Sequence, residues 1–118
     1  MINLAPDIFR QRLLIEAFYE IEVNAKVINN YFEEVIKALE LRMYGQPTIF
    51  SPSGMGKEEN PGYDAFVPLI NSGISLYIWS TAKFLSTVLY TCKGFDAQIA
   101  IDVTQEFFSM TEIECLSF

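Results

Sequence analysis

The stretch AKVINNYFEEVIKALEL, which follows Asn24, limits the possible folds more than any other part of the chain. Val27, Ile28, Tyr31, Phe32, Val35, Ile36 and Leu39 recur at i, i+1, i+4 and i+5, which is one wide apolar stripe on a helix. A stripe of that width must be buried against a second layer. Asn24 suits the N-cap, because its side-chain oxygen can accept a hydrogen bond from a first-turn amide. Gly45 and Pro47 are the expected stop.

The segments around this helix read mostly as strands. Residues 12–20, RLLIEAFYE, carry apolar and aromatic side chains on both faces of a strand, and PTIF forms a short one after the helix. Residues 51–62, SPSGMGKEENPG, are a loop by composition, with Glu58 and Glu59 as solvated charges. Further strands are expected over 63–70, 74–79 and 85–91. Gly94 and Asp96 open a second helix whose apolar positions are Ile99, Ala100, Val103, Phe107 and Phe108, and MTEIECLSF alternates like a last strand. The order β-α-β-β-β-β-α-β holds too few helices to cover both faces of such a sheet. The expected fold is α+β: a two-layer sandwich with an antiparallel-rich sheet and both helices on one face, formed as a single domain over 1–118. The bare face would expose Phe66, Trp79 and Tyr90, which predicts a homodimer.

Composition removes several classes of function. The chain has 15 acidic and 8 basic residues and a net charge of −7, with no basic stripe for nucleic acid or an anionic membrane surface. Its longest apolar run, 65–70, is far short of the roughly 20 residues that span a bilayer. The start, MINLAPDIFRQR, lacks the basic and apolar regions of a signal peptide, so a cytoplasmic location is expected. There is no histidine, and the two cysteines, Cys92 and Cys115, are not a Cys-x-x-Cys pair; no metal site is expected. The lack of histidine also excludes Ser-His-Asp and Cys-His catalysis within one chain.

The stretch INSGISLYIWS, 70–80, then stands out, because Asn71-Ser72-Gly73 interrupts apolar strand sequence. The plain account is a turn or bulge. Cys92 has an equally plain account as a small buried side chain. Phe50 and Trp79 suit core or dimer packing, and Asp64 and Tyr77 suit solvated or hydrogen-bonded positions.

Four motifs in order add a second account. LLIEAFYE before an amphipathic helix, then IFSPSG, then INSGISLYIWS, then VLYTCKGFD before a second helix, together resemble the bacterial S-adenosylmethionine decarboxylase family from about Arg12 to the end. The resemblance implies a proenzyme that cuts its backbone before a serine and converts that serine to a pyruvoyl group, an electron sink for decarboxylation in polyamine synthesis. The cleavage position falls between Asn71 and Ser72, so the cofactor implied is a pyruvoyl group derived from Ser72. The family's Glu-Ser-His becomes Asn71-Ser72-Gly73, and its processing histidine becomes Tyr77. Its Thr-Cys-Gly becomes Thr91-Cys92-Lys93-Gly94, which keeps the catalytic cysteine as Cys92. A second processing serine aligns with Asp64, counted back from Ser72 without gaps. Phe50 and Trp79 match the two rings that hold the ligand's adenine, and in the family's dimers those rings come from different subunits. A glycine after the serine is expected to ease the tight geometry of cleavage.

The departures fall on proton transfer. A phenol gives up its proton about 3.5 pH units above an imidazole, so Tyr77 is a poor substitute base, and Asp64 serves only if it faces Ser72. On that ground most of the chain is expected to stay intact between Asn71 and Ser72. The function that the resemblance implies is still pyruvoyl-type decarboxylation of S-adenosylmethionine or a related amino acid, with enzyme status left open by the missing proton carriers. The alternative is an uncleaved, inactive or regulatory homologue that binds S-adenosylmethionine or a related nucleoside. A third and weaker option is different chemistry on the same nucleoside ligand.

Overall fold

A computed structural model describes residues 1–51 and 61–118. Most of the loop expected over 51–62, including Glu58 and Glu59, lies outside the described residues. The elements are β1 (Gln11–Phe18), α1 (Ala25–Ala38), β2 (Thr48–Phe50), β3 (Gly62–Leu69), β4 (Ser72–Trp79), β5 (Phe84–Thr91), α2 (Ala97–Phe108) and β6 (Ile113–Ser117). The strands form one six-stranded sheet in the order β2-β3-β4-β5-β1-β6, and every pairing is antiparallel.

The period-2 pattern divides this sheet into two unlike faces. Leu13, Ile15 and Ala17 of β1, Ala65, Val67 and Leu69 of β3, Ile74, Leu76 and Ile78 of β4, and Leu85 and Leu89 of β5 are buried. They form one cluster with Ile28, Tyr31, Phe32, Val35 and Ile36 of α1 and Ala100 and Phe108 of α2. Both helices therefore cover the same face, as the α+β reading expects. The alternate strand positions form an open face, on which Phe18, Phe50, Phe66, Tyr77, Trp79 and Tyr90 are 40–64% exposed.

Three local features differ from expectation. Helix α1 ends at Leu39, well before Gly45, because Glu40 adopts a left-handed conformation with φ 58°. The Glu40 and Leu41 amides then donate to the Lys37 and Ile36 carbonyls and close the last turn without a glycine. Asp96 does cap α2, with its carboxylate accepting from the Gln98 and Ile99 amides. The buried stripe of α2, however, is Ala100, Thr104 and Phe108, and Ile99 is 41% exposed. Thr104 is tolerated in the core because its hydroxyl donates to the Ala100 carbonyl at 2.7 Å and meets the Tyr31 hydroxyl at 2.8 Å. Strand β1 runs over Gln11–Phe18, so Tyr19 and Glu20 fall outside it.

Candidate functional site

The polar break in the sequence is a hairpin turn. Leu69 pairs with Ser72, so Ile70 and Asn71 are the two turn residues, and Asn71 has φ 53°. Asn is the non-glycine residue best suited to this left-handed region, which explains an amide side chain before the serine. Gly73 makes no use of glycine's backbone freedom; its φ is not positive. What matters there is the missing side chain, since a Cβ would lie 2.5 Å from the Phe66 ring. The role the structure gives Gly73 is therefore packing on the open face.

Ser72 begins β4 beside the end of β5, and this adjacency brings it to Cys92. The Cys92 amide donates to Ser72 Oγ at 2.9 Å. Ser72 Oγ approaches Cys92 Sγ at 3.6 Å, and that sulfur approaches the Ile70 carbonyl at 3.5 Å. Thr91, fully buried, donates to the Lys93 carbonyl at 2.7 Å and fixes the turn that follows the strand. Lys93 Nζ reaches the Glu40 carbonyl at 3.3 Å, just past the end of α1. The Ser72–Cys92 pair lies between two hollows. One, of about 290 Å³, is formed with Glu40, Leu41, Arg42, Leu69 and Ile70. The other, of about 310 Å³, opens on the bare sheet face beside Phe66, Gly73, Ser75 and Tyr90. Sequence reasoning overlooked the part of the first hollow contributed by Glu40 and Arg42. The signal for it, the early end of α1, is carried by a residue that is not glycine.

The other sequence-derived residues lie elsewhere on the sheet. Asp64 pairs with Tyr77, each five residues along its strand from the Leu69–Ser72 pair, a separation of roughly 17 Å. Both are exposed on the open face. Asp64 does not face Ser72 within one protomer, and neither does Tyr77. Phe50 pairs with Asp64 on the same face. Trp79 pairs with Gly62, and its ring packs against Phe84 with centroids 5.5 Å apart. Phe50 and Trp79 are two strands and two residues apart, roughly 12 Å, so the two rings of one protomer do not form a clamp around one base.

The architecture defines a class: an antiparallel sheet backed on one face by two helices, with a serine–cysteine pair at a hairpin end. A family model for S-adenosylmethionine decarboxylase matches residues 13–118, and the chain belongs to that family. Its fold is similar to the crystal structure of the adenosylmethionine decarboxylase from Aquifex aeolicus VF5, with a TM-score of 0.73 and 16% identity over 94% of this chain and 89% of that one. No curated protein matches the sequence.

Proposed function

We propose that this chain is a self-processing decarboxylase of S-adenosylmethionine or a related amino acid, linked to polyamine synthesis and working as a homodimer. The observation that carries the reading is the Ser72–Cys92 pair, held at the hairpin end between two hollows. A pyruvoyl group at this position supplies an electron-accepting ketone for loss of carbon dioxide. The residues present fit its formation. Ser72 Oγ adds to the Asn71 carbonyl carbon, and the Ser72 nitrogen leaves to give an ester. Removal of the Ser72 α-proton then expels the Asn71 carboxylate, and water releases the nitrogen as ammonia. The Cys92 amide orients Ser72 Oγ, and in the head-to-tail dimer described below Asp64 or Tyr77 of the second copy takes the Ser72 α-proton.

The exposed aromatic row on the open sheet face supports the dimer. A second copy laid head-to-tail on the open face carries its Asp64 and Tyr77 toward the Ser72 end of the first. The same arrangement buries the exposed aromatic row and lets Phe50 of one copy approach Trp79 of the other. Adenine stacked between those rings would also place a sulfonium near aromatic faces, an attraction of about 0.5–2 kcal/mol.

Intact-mass spectrometry of the purified chain tests the reading. The intact chain expected from one copy's residues gives way to two fragments when a second copy supplies the base: one ending at Asn71 and one beginning with pyruvoyl in place of Ser72, and Ser72→Ala should stay whole. A wild-type chain that also stays whole over days would sink the proposal. The uncleaved nucleoside-binding reading would then take its place.

A further inference from the structure

A second cleft lies at the start of β1, where the N-terminal segment folds back beside Phe118. Its volume is about 660 Å³, within the range of small-molecule sites. In a chain of net charge −7 it collects two of the three arginines, Arg10 and Arg12, and no acidic side chain lines it. Ile8, Phe9 and Phe118 supply an apolar wall, and each is more than half exposed.

The two guanidinium groups are held differently. Arg10 is anchored by the N-terminal segment, with Nη1 donating to the Ala5 carbonyl at 3.1 Å and Nη2 to Asn3 Oδ1 at 2.6 Å. Arg12 lies over the Phe118 ring, 5.4 Å from its centroid, and its Nε is buried without a hydrogen-bond partner. Among the described residues the only ion pair is Lys83–Glu22, so neither arginine is held in an ion pair. A buried donor on a permanently charged group normally has an acceptor, and a planar guanidinium suits carboxylate or phosphate.

From this we infer a binding site for an amphipathic anion, a carboxylate or phosphate joined to an apolar body of about the size of a phenyl ring. The anion bridges Arg12 and Arg10, and its body lies on Ile8, Phe9 and Phe118. The site goes beyond the decarboxylase reading and does not depend on it. It does lie near the Ser72 end of the sheet: Arg12 pairs with Tyr90 and Tyr90 with Gly73, so Arg12 and Gly73 are two strand spacings apart, roughly 10 Å.

Calorimetry with four probes tests the site, on wild type and on Ser72→Ala, so that the cleavage state does not decide the outcome. Phenyl phosphate and 3-phenylpropanoate are expected to bind with Kd below about 1 mM, and uncharged 3-phenylpropanamide is not. Inorganic phosphate should bind more weakly than phenyl phosphate. Arg12→Gln should weaken both aryl anions at least tenfold. Arg10→Gln should weaken them at least threefold, and it gives a second readout should Arg12→Gln fail to fold. The tighter of the two aryl anions identifies phosphate or carboxylate as the natural group. Equal binding of acid and amide, full affinity in both arginine variants, or no heat from either aryl anion at millimolar concentration overturns the inference.

Discussion

Tyr31 has no contact with water, and its hydroxyl meets Thr104 Oγ1 at 2.8 Å. Thr104 donates its own proton to the Ala100 carbonyl, so Tyr31 donates and Thr104 accepts. Burial pushes the phenol up to about 12, because the anion would lose its water, and the bond to Thr104 only partly offsets this. The consequence for stability has a definite sign. An unfolded tyrosine titrates near 10, so its favourable term is fully present below pH 10 and is lost as pH rises through about 12. The loss is on the order of 2–3 kcal/mol. Urea unfolding at pH 9 and pH 11.5 should show this fall for wild type and much less of it for Tyr31→Phe; equal slopes would remove Tyr31 from the account. At this scale the sequence was informative about Tyr31, which sits on an apolar stripe, and silent about Thr104, whose polarity hides a core position. Gly73 is ambiguous in sequence for a related reason. A lone glycine can mean backbone freedom or a missing side chain, and only the ring of Phe66 above it tells which.

Among the elements, α1 and the strands were legible because their periodicity is strong, whereas the end of α1 was not. Sequence reading puts a helix stop at Gly or Pro, but here Glu40 takes the left-handed position directly after the Leu39 cap. That conformation costs an L-residue roughly 1 kcal/mol, and glycine does not incur it. Glu40→Gly keeps the carbonyl that receives Lys93 and should stabilise the chain by about 0.5–1 kcal/mol. An unchanged or lowered thermal midpoint would show that the Glu40 side chain contributes more than the strain. The early stop also has a functional consequence. It frees Glu40, Leu41 and Arg42 to leave the helix axis and wall the hollow beside Ser72. The β3–β4 hairpin does the rest, since its two-residue turn sets Ser72 at the end of the sheet and the register sends Asp64 and Tyr77 toward the opposite end.

For the whole molecule, that register is the deciding fact. Asp64 and Tyr77 lie within a few residues of Ser72 in the sequence, which made them natural candidates for its proton chemistry. A hairpin separates residues that are close in sequence, by roughly 3.3 Å per position along each strand. The sequence suggests these residues as candidates but does not reveal that one copy holds them apart from Ser72. If the site is shared, two differently damaged copies should repair each other. Ser72→Ala cannot be cut but keeps Asp64 and Tyr77, and a chain carrying both Asp64→Ala and Tyr77→Phe keeps Ser72 and Cys92 but lacks the distant groups. Purified separately, both should remain whole. Co-expressed, they should form mixed dimers in which the Ser72 of the doubly substituted chain faces an intact Asp64 and Tyr77. Mass spectrometry should then show fragments of the doubly substituted chain alone, with Ser72→Ala uncut. Cleavage of that chain in the absence of its partner would place the needed groups within one protomer, at Cys92. No cleavage in the mixture, under conditions where wild type is cut, would rule out the head-to-tail arrangement.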